Sequence, residues 1–449
     1  MIKPKKILVI GGNAAGPAAA AKAKRVNPEA EVIMFEAGEY ISTGTCELPY
    51  VLAGDIESYE KLVFYDEDSF KKEKGVNVFT NHIVQNINTK EKYITVKNLK
   101  FNAERKYDYD SLVIATGSVC KIPAQFKGEY ENVFTLKNIK DFISIQNYID
   151  KNKVENIIIV GAGYIGLEAA DALKKRNYEI TILDKETLPL SSSEFEIQKM
   201  IVESLEKNNI RFIGSINNYK TIIDNNLITK INIDGRIIES DLIILATGFS
   251  PNNFLAKDSG IKIGMTEGIQ VDRLLMTSAN NVFAAGDCIE ISNYVTNKPF
   301  YFPIATVARD YGHIAGANAA GEFNRVEPVV KNIAFKIFDK FNVEVGISSK
   351  EAEIFKLNFK EVSSTVPNLV KVMPESSEVF GKILYETNSK KILGASFLGG
   401  KEVSGYGDLI STLIKTGQTI EVLGKINYNY TPPLSPFINL LSVLGRKIK

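Results

Sequence analysis

Ile157-Ile-Ile-Val-Gly-Ala-Gly-Tyr-Ile-Gly166 joins a short apolar run to a complete GxGxxG pattern. A run that is apolar at every position suits a strand covered on both faces. The pattern predicts a helix from Leu167 to Arg176, then a strand from Glu179 to Leu183 with Asp184 at its end. Glycines in this spacing permit a tight turn and let a pyrophosphate approach the helix N-terminus, while the acid takes ribose hydroxyls. Gly161, Gly163, Tyr164, Ile165, Gly166 and Asp184 are therefore expected to hold a dinucleotide. A carboxylate at 184 opposes a 2′-phosphate and favours NADH over NADPH, an expectation that Lys185 softens.

The same design stands at the start of the chain. Ile7-Leu-Val-Ile10 leads into Gly11-Gly12-Asn13-Ala14-Ala15-Gly16, an alanine-rich helix from Ala18 to about Arg25, and a strand from Glu31 to Phe35 that ends at Glu36. Asn13 occupies the place of the middle glycine, a departure from the pattern. Gly11, Gly12, Ala14, Ala15, Gly16 and Glu36 are expected to form a second dinucleotide site. The repeat continues, because Asp110–Gly117 and Asp241–Gly248 are both apolar runs closing on Ala-Thr-Gly, which puts Ala115, Thr116, Gly117 and Gly248 at matching corners. Asn281–Asp287 is a further short strand, and the carboxylate of Gly286-Asp287 suits a polyol chain such as ribityl. Behind it, Pro303 to Ala320 reads as a helix of small residues whose N-terminus, near Ala305, would aim its dipole at an anionic ring. From about Glu327 the composition changes to alternating strands (Ile333–Phe338, Gly381–Tyr385, Ile392–Phe397) and one helix (Tyr406–Lys415), a separate α+β unit.

Bulk properties narrow the class. The chain has 449 residues, enough for about three domains. It is 45% hydrophobic and 24% charged with a net charge of +1, so neither nucleic acid nor a membrane surface is an expected partner. Its three cysteines, Cys46, Cys120 and Cys288, form no CxxC and no metal-ligand spacing; no metal is expected, and the sparse count suits a reducing compartment. Met1–Lys6 runs straight into the first strand, which is too short for a signal h-region, and no apolar stretch reaches the length of a membrane span. A soluble cytoplasmic protein is the expectation.

One stretch carries chemistry of its own. Glu39-Tyr-Ile-Ser-Thr-Gly-Thr-Cys-Glu-Leu-Pro-Tyr50 places Cys46 after a flexible turn and before an apolar segment. If that segment opens a helix, the dipole faces the sulfur and the thiol ionises below its free value of about 8.5. The plain alternative is a small buried hydrophobe, as most free cysteines are. Cys120 and Cys288 read as buried structural thiols, and neither His82 nor His313 suggests a role. The tail from Tyr428 to Pro436, aromatic and proline-rich, is expected to pack against something.

This order of motifs resembles the flavin-dependent pyridine nucleotide–disulfide oxidoreductases over essentially the full length. It is most similar to the single-cysteine branch of coenzyme A-disulfide reductases, NADH oxidases and NADH peroxidases. The resemblance implies an α/β fold of two Rossmann-like domains, the NAD domain inserted in the FAD domain, plus a C-terminal α+β dimerisation domain. The boundaries it implies are 1–117 and 244–326 for FAD, 118–243 for NADH or NADPH, and 327–449 for the homodimer contact. Cys46-Glu-Leu-Pro-Tyr50 looks like the redox-active cysteine motif, Gly286-Asp287 the second FAD motif, and Tyr164 and Glu168 residues flanking the nicotinamide. Tyr430 matches a tyrosine that the partner subunit sets beside the cysteine as a proton donor. Lys22 and Arg25, about one helical turn apart, are candidates for the phosphates of a coenzyme A-type disulfide. Two departures matter. Ala14 stands where oxidases and peroxidases carry a histidine, which disfavours oxygen chemistry, and Val372-Met373 replaces a second tyrosine ahead of Pro374. The implied activity is reduction of a low-molecular-weight disulfide, persulfide or polysulfide. An NADH oxidase and a reductase of a protein electron carrier are the alternatives.

Overall fold

Both glycine turns lie on five-stranded parallel sheets of the same order in the computed structural model, which describes residues 5–448. Residues 1–4 and 449, at the outer ends of the first and last expected units, lie outside it. The first sheet runs Val282–Ala284, Ser111–Ile114, Lys6–Ile10, Glu31–Phe35, Asn77–Phe79. The second runs Val133–Thr135, Leu242–Leu245, Asn156–Val160, Glu179–Leu183, Arg211–Ile213. In each, the strand before the glycines lies between the strand ending in the acid and the one leading to Ala-Thr-Gly. Side chains of the central strands are buried on both faces, as continuous apolar runs require. The repeat extends to a three-stranded antiparallel sheet in each unit, His82–Asp108 in one and Lys220–Glu239 in the other. The two passages between units pair with each other, Ser118–Cys120 antiparallel to Phe249–Pro251.

The helix after the first turn spans Ala15–Val26 and packs on Ala305–Ala320. Alanines and glycines allow this closeness: a Cβ on Gly312 would lie 2.3 Å from the Ala15 carbonyl oxygen, and one on Gly316 2.1 Å from that of Ala19. The remaining residues form an antiparallel sheet in the order Asn332–Ile337, Lys340–Gly346, Ile392–Gly399, Glu378–Glu386, Phe359–Pro367. Helices Glu402–Lys415 and Leu440–Arg446 pack against it. Among the described residues no helix is long and apolar enough to cross a membrane.

A buried lysine fastens the last sheet to the second unit. Lys382 Nζ lies 3.0 Å from Glu194, 3.3 Å from Glu196 and 3.0 Å from Glu361. The fully buried Glu194 also accepts from the Ser349 N–H and hydroxyl, each at 2.7 Å. Removing one member of such a network leaves buried charge uncompensated. Lys382→Met is expected to lower stability by about 3–5 kcal/mol, read as a reduced midpoint in denaturant at unchanged m-value.

Candidate functional site

The two turns are built alike. Gly11 and Gly161 have φ of +107° and +108°, and a Cβ on either would sit 2.1 Å or 2.3 Å from the carbonyl oxygen of Ala115 or Ala246, the alanines of the two Ala-Thr-Gly corners. At the third glycines the gap is tighter still: a Cβ on Gly16 would be 1.8 Å from the Gly11 oxygen, and one on Gly166 2.0 Å from that of Gly161. Each acid grips its own turn. Glu36 accepts from Gly12 N at 2.6 Å, and Asp184 from Ala162 N at 2.5 Å and Glu186 N at 2.8 Å. The middle position differs. A Cβ on Gly163 would meet nothing within 4 Å, so a side chain fits there. In the first turn Asn13 uses that room: its carbonyl oxygen accepts from Thr43 N at 3.0 Å and Thr43 Oγ1 at 3.3 Å, three residues before Cys46.

Cys46 lies in a short 3-10 turn, Thr45–Glu47, that runs into the helix Leu48–Leu52. Leu48, Val51 and Leu52 pack in one core with Leu167, Ala170 and Phe335, which seats the cysteine segment on the second and third units. The sulfur opens into a single cleft of about 1940 Å³. The same cleft is lined by Gly11, Gly12, Ala14, Ala15, Glu36, Ala115, Thr116, Gly117, Gly161, Gly163, Tyr164, Ile165, Glu168, Asp184, Gly248, Gly286, Asp287 and Ala305. Gly16 and Gly166 support it from behind. Lys22, Arg25 and Tyr430 do not line it. Arg25 is exposed and Lys22 half-buried. They share a basic patch with Arg309 and His313, whose imidazole pKa is lowered by burial and then by Arg309, Arg25 and Lys22. Tyr430 is 48% exposed and meets only the edge of Phe437, with ring centroids 5.4 Å apart, among the aromatic contacts described.

Two expectations about sulfur need correction. The Cys46 thiol is not lowered by its surroundings but raised. It faces the cleft, yet protein closes round its other sides, so burial acts first and the charges of Glu47, Glu168 and Asp287 add to it. The following helix is only five residues long and offers little dipole to oppose them. Cys120 is half-buried rather than buried, on the strand linking the units, whereas Cys288 is fully buried. His82 is structural, its ring nitrogens engaged by the Thr80 carbonyl at 2.7 Å and Asn98 at 3.0 Å.

Several cleft residues have no motif to announce them. Ser118 donates to Asp287 Oδ2 at 3.2 Å and receives Lys137 Nζ at 2.8 Å, and burial raises the Asp287 carboxyl against the pull of that lysine. Tyr301 lines the cleft with a buried hydroxyl that has no hydrogen-bond partner. Tyr164 donates to Glu344 Oε2 at 3.0 Å and stands edge-on to Phe335 at 5.0 Å. Glu344 is buried in the third unit, 180 residues away. Among the described residues no cluster of three or more His, Cys, Asp or Glu could hold a metal ion.

The pyridine nucleotide-disulphide oxidoreductase family matches residues 5–318. The chain belongs to that family. Its relatives include the NAD(P)H sulfur oxidoreductase (CoA-dependent) of Pyrococcus abyssi, 31% identical over 455 residues, covering 100% of this chain and 99% of the relative. The coenzyme A disulfide reductase of Staphylococcus aureus (strain bovine RF122 / ET3-1) is 28% identical over 446 residues, covering 99% of this chain and 100% of the relative. Among solved structures, a NAD-dependent persulfide reductase from A. fulgidus superposes with a TM-score of 0.94 at 30% identity, covering 98% of this chain and 82% of that one. This oxidoreductase family uses FAD and NAD(P)H. The residues present fit both groups: two glycine cradles that a Cβ would fill open into one cleft, each with an acid, and the orphaned Tyr301 hydroxyl lies in that cleft.

The Asp184 carboxylate sets an expectation for the nucleotide. Asp184→Ala should raise KM for NADH about 10–100-fold, the worth of a charged hydrogen bond, and narrow the preference over NADPH, as steady-state kinetics with both nucleotides would read. A wild-type preference for NADPH would contradict it.

Proposed function

We propose that this oxidoreductase uses NAD(P)H to reduce a low-molecular-weight disulfide, persulfide or polysulfide, coenzyme A disulfide foremost, through Cys46. The observation that carries this is the opening of a lone cysteine into the cleft that both glycine turns line. Residues 1–117 and 244–326 hold FAD through Gly11, Gly12, Glu36 and Asp287, and 118–243 hold NAD(P)H through Gly161, Gly163 and Asp184. Bound FAD supplies the means to take a hydride from the nicotinamide and pass its electron pair to sulfur. Tyr164 and Glu168 flank the nicotinamide. Lys137, through Ser118, orients the Asp287 carboxylate toward its hydroxyl partners.

The sulfur chemistry belongs to Cys46. Its thiolate attacks the disulfide, one thiol leaves, and a mixed disulfide remains on Cys46; no neighbouring cysteine is needed. Since the surrounding carboxylates raise the thiol, an anionic sulfur is favoured only when cofactor and substrate alter the field about it. Lys22 and Arg25, with Arg309 and His313 beside them, take the phosphates of a coenzyme A-type substrate. Residues 327–449 form a homodimer contact, which gives the exposed apolar tail (Tyr430, Leu434, Phe437) something to cover and brings Tyr430 to the partner's cysteine as proton donor.

The test is NAD(P)H oxidation without oxygen. Coenzyme A disulfide or polysulfide should sustain turnover, and the unreduced protein should carry a coenzyme A-sized mass on Cys46. Turnover only in air would reject the reading.

A further inference from the structure

Reduction of a disulfide by NAD(P)H needs one proton beyond the hydride: NAD(P)H + H⁺ + RSSR gives NAD(P)⁺ + 2 RSH, with one S–S bond broken and two S–H bonds formed. This proton comes from solvent, and the sulfur lies inside a cleft that cofactors and substrate fill. A route for it is visible behind the cysteine.

A side pocket of about 10 Å³, close to the space of one water, lies beside the main cleft. Pro49, Tyr50, Glu168 and Lys336 belong to both walls. Asp171 and Lys175 follow Glu168 on the same face of the helix Tyr164–Lys175 and line the side pocket only. At its outer end Lys175 Nζ donates to Asp55 at 2.6 Å, both partly exposed. Asp171 is fixed, its Oδ2 accepting from Phe338 N at 3.0 Å. Glu168 makes no ion pair among the described residues, although buried groups surround it: Cys46, Glu47 and Tyr50 from the cysteine segment, Asp171 from its own helix, and the Lys336 N–H from the third unit. Burial first and Asp171 second push its carboxyl up to about 7. The Tyr50 hydroxyl between them is raised by burial, then by Glu168, Asp171 and Asp55, which places it within reach of all three charges.

We infer that Glu168 is the inner end of a proton route into the cleft, lined by Tyr50 and Asp171 with the Asp55–Lys175 pair at its mouth, and that it supplies the proton taken up by sulfur on each turnover. The inference rests on the disulfide-reductase reading for its purpose, but not for the link between Glu168 and Cys46. Glu168 holds a proton to give only below its own pKa, so kcat should decline as pH rises through about 7. Its charge, once ionised, also opposes the Cys46 thiolate.

The experiment uses the full-length flavin-bearing protein. Alkylation of Cys46 by iodoacetamide, read by the mass of its peptide, is followed against pH. The wild type should show a break near pH 7 that Glu168→Gln abolishes, with the main inflection moved to lower pH. Asp171→Asn should shift the break downward, and it serves if Glu168→Gln fails to fold. With a disulfide substrate, Glu168→Gln should lower kcat about 100-fold and lose the decline above neutrality, while Glu168→Asp restores part of both. An unmoved alkylation profile, or a loss confined to KM for NAD(P)H and to flavin reduction, would make Glu168 a nicotinamide contact only and overturn the inference. A wild type inert to every disulfide would reject the proposed substrate class, and the alkylation profile would still decide the Glu168–Cys46 link.

Discussion

Cys46→Ser is expected to lower anaerobic NAD(P)H oxidation with coenzyme A disulfide by on the order of 10³-fold or more, the scale seen when a covalent nucleophile is removed. The fold should not change. Cys46 faces the cleft, serine is close in size, and exposed sites away from the core tolerate exchange within about 0.5 kcal/mol. Reduction of the flavin by NAD(P)H in a single turnover should survive, because the nucleotide turns are untouched. The pairing of an intact first half-reaction with an abolished second is the signature to look for. Retention of wild-type turnover by the serine variant would remove sulfur from the mechanism altogether.

Gly161→Ala and Gly11→Ala should each disable one half of the machine. At both positions φ is near +107°, and the new methyl would collide with a corner carbonyl 2.3 Å or 2.1 Å away. Left-handed backbone costs an L-residue about 1–2 kcal/mol, and overpacking adds about 1–3 kcal/mol. Gly161→Ala is therefore expected to raise KM for NAD(P)H about 100-fold or more while the flavin stays bound and reducible by dithionite. Gly11→Ala should be purified without flavin, read from its visible spectrum. An unchanged KM in the first variant would mean that the second turn does not hold the nicotinamide nucleotide.

What the residues reveal by themselves follows their physics. Strands buried on both faces, such as Asn156–Val160 and Glu179–Leu183, announce themselves as unbroken apolar runs, and their register with the glycines is legible. Helix starts are less so. Both cradle helices begin inside the motif, at Ala15 and Tyr164, rather than at the Ala18 and Leu167 that composition suggests. Helices Ile139–Lys151 and Phe195–Lys207 and the strands Lys340–Gly346 and Phe359–Pro367 carry no motif, and the last is an edge strand of alternating exposure. The electrostatics of Cys46 are illegible for another reason. Glu168 and Asp287 lie more than a hundred positions from it and reach it only through tertiary packing. Asn13 is the instructive case, an apparent flaw in the first pattern that turns out to brace the cysteine loop through Thr43.

The hydroxyl of Tyr164 anchored on Glu344 gives the carboxy-terminal sheet a duty besides any association between copies. A ring beside the cleft owes its pose to a residue borne by a separate sheet, so how deeply that sheet seats determines the headroom above the second cradle. A shortened protein ending after the paired sheets would keep every glycine and lose the catch that fixes this ring.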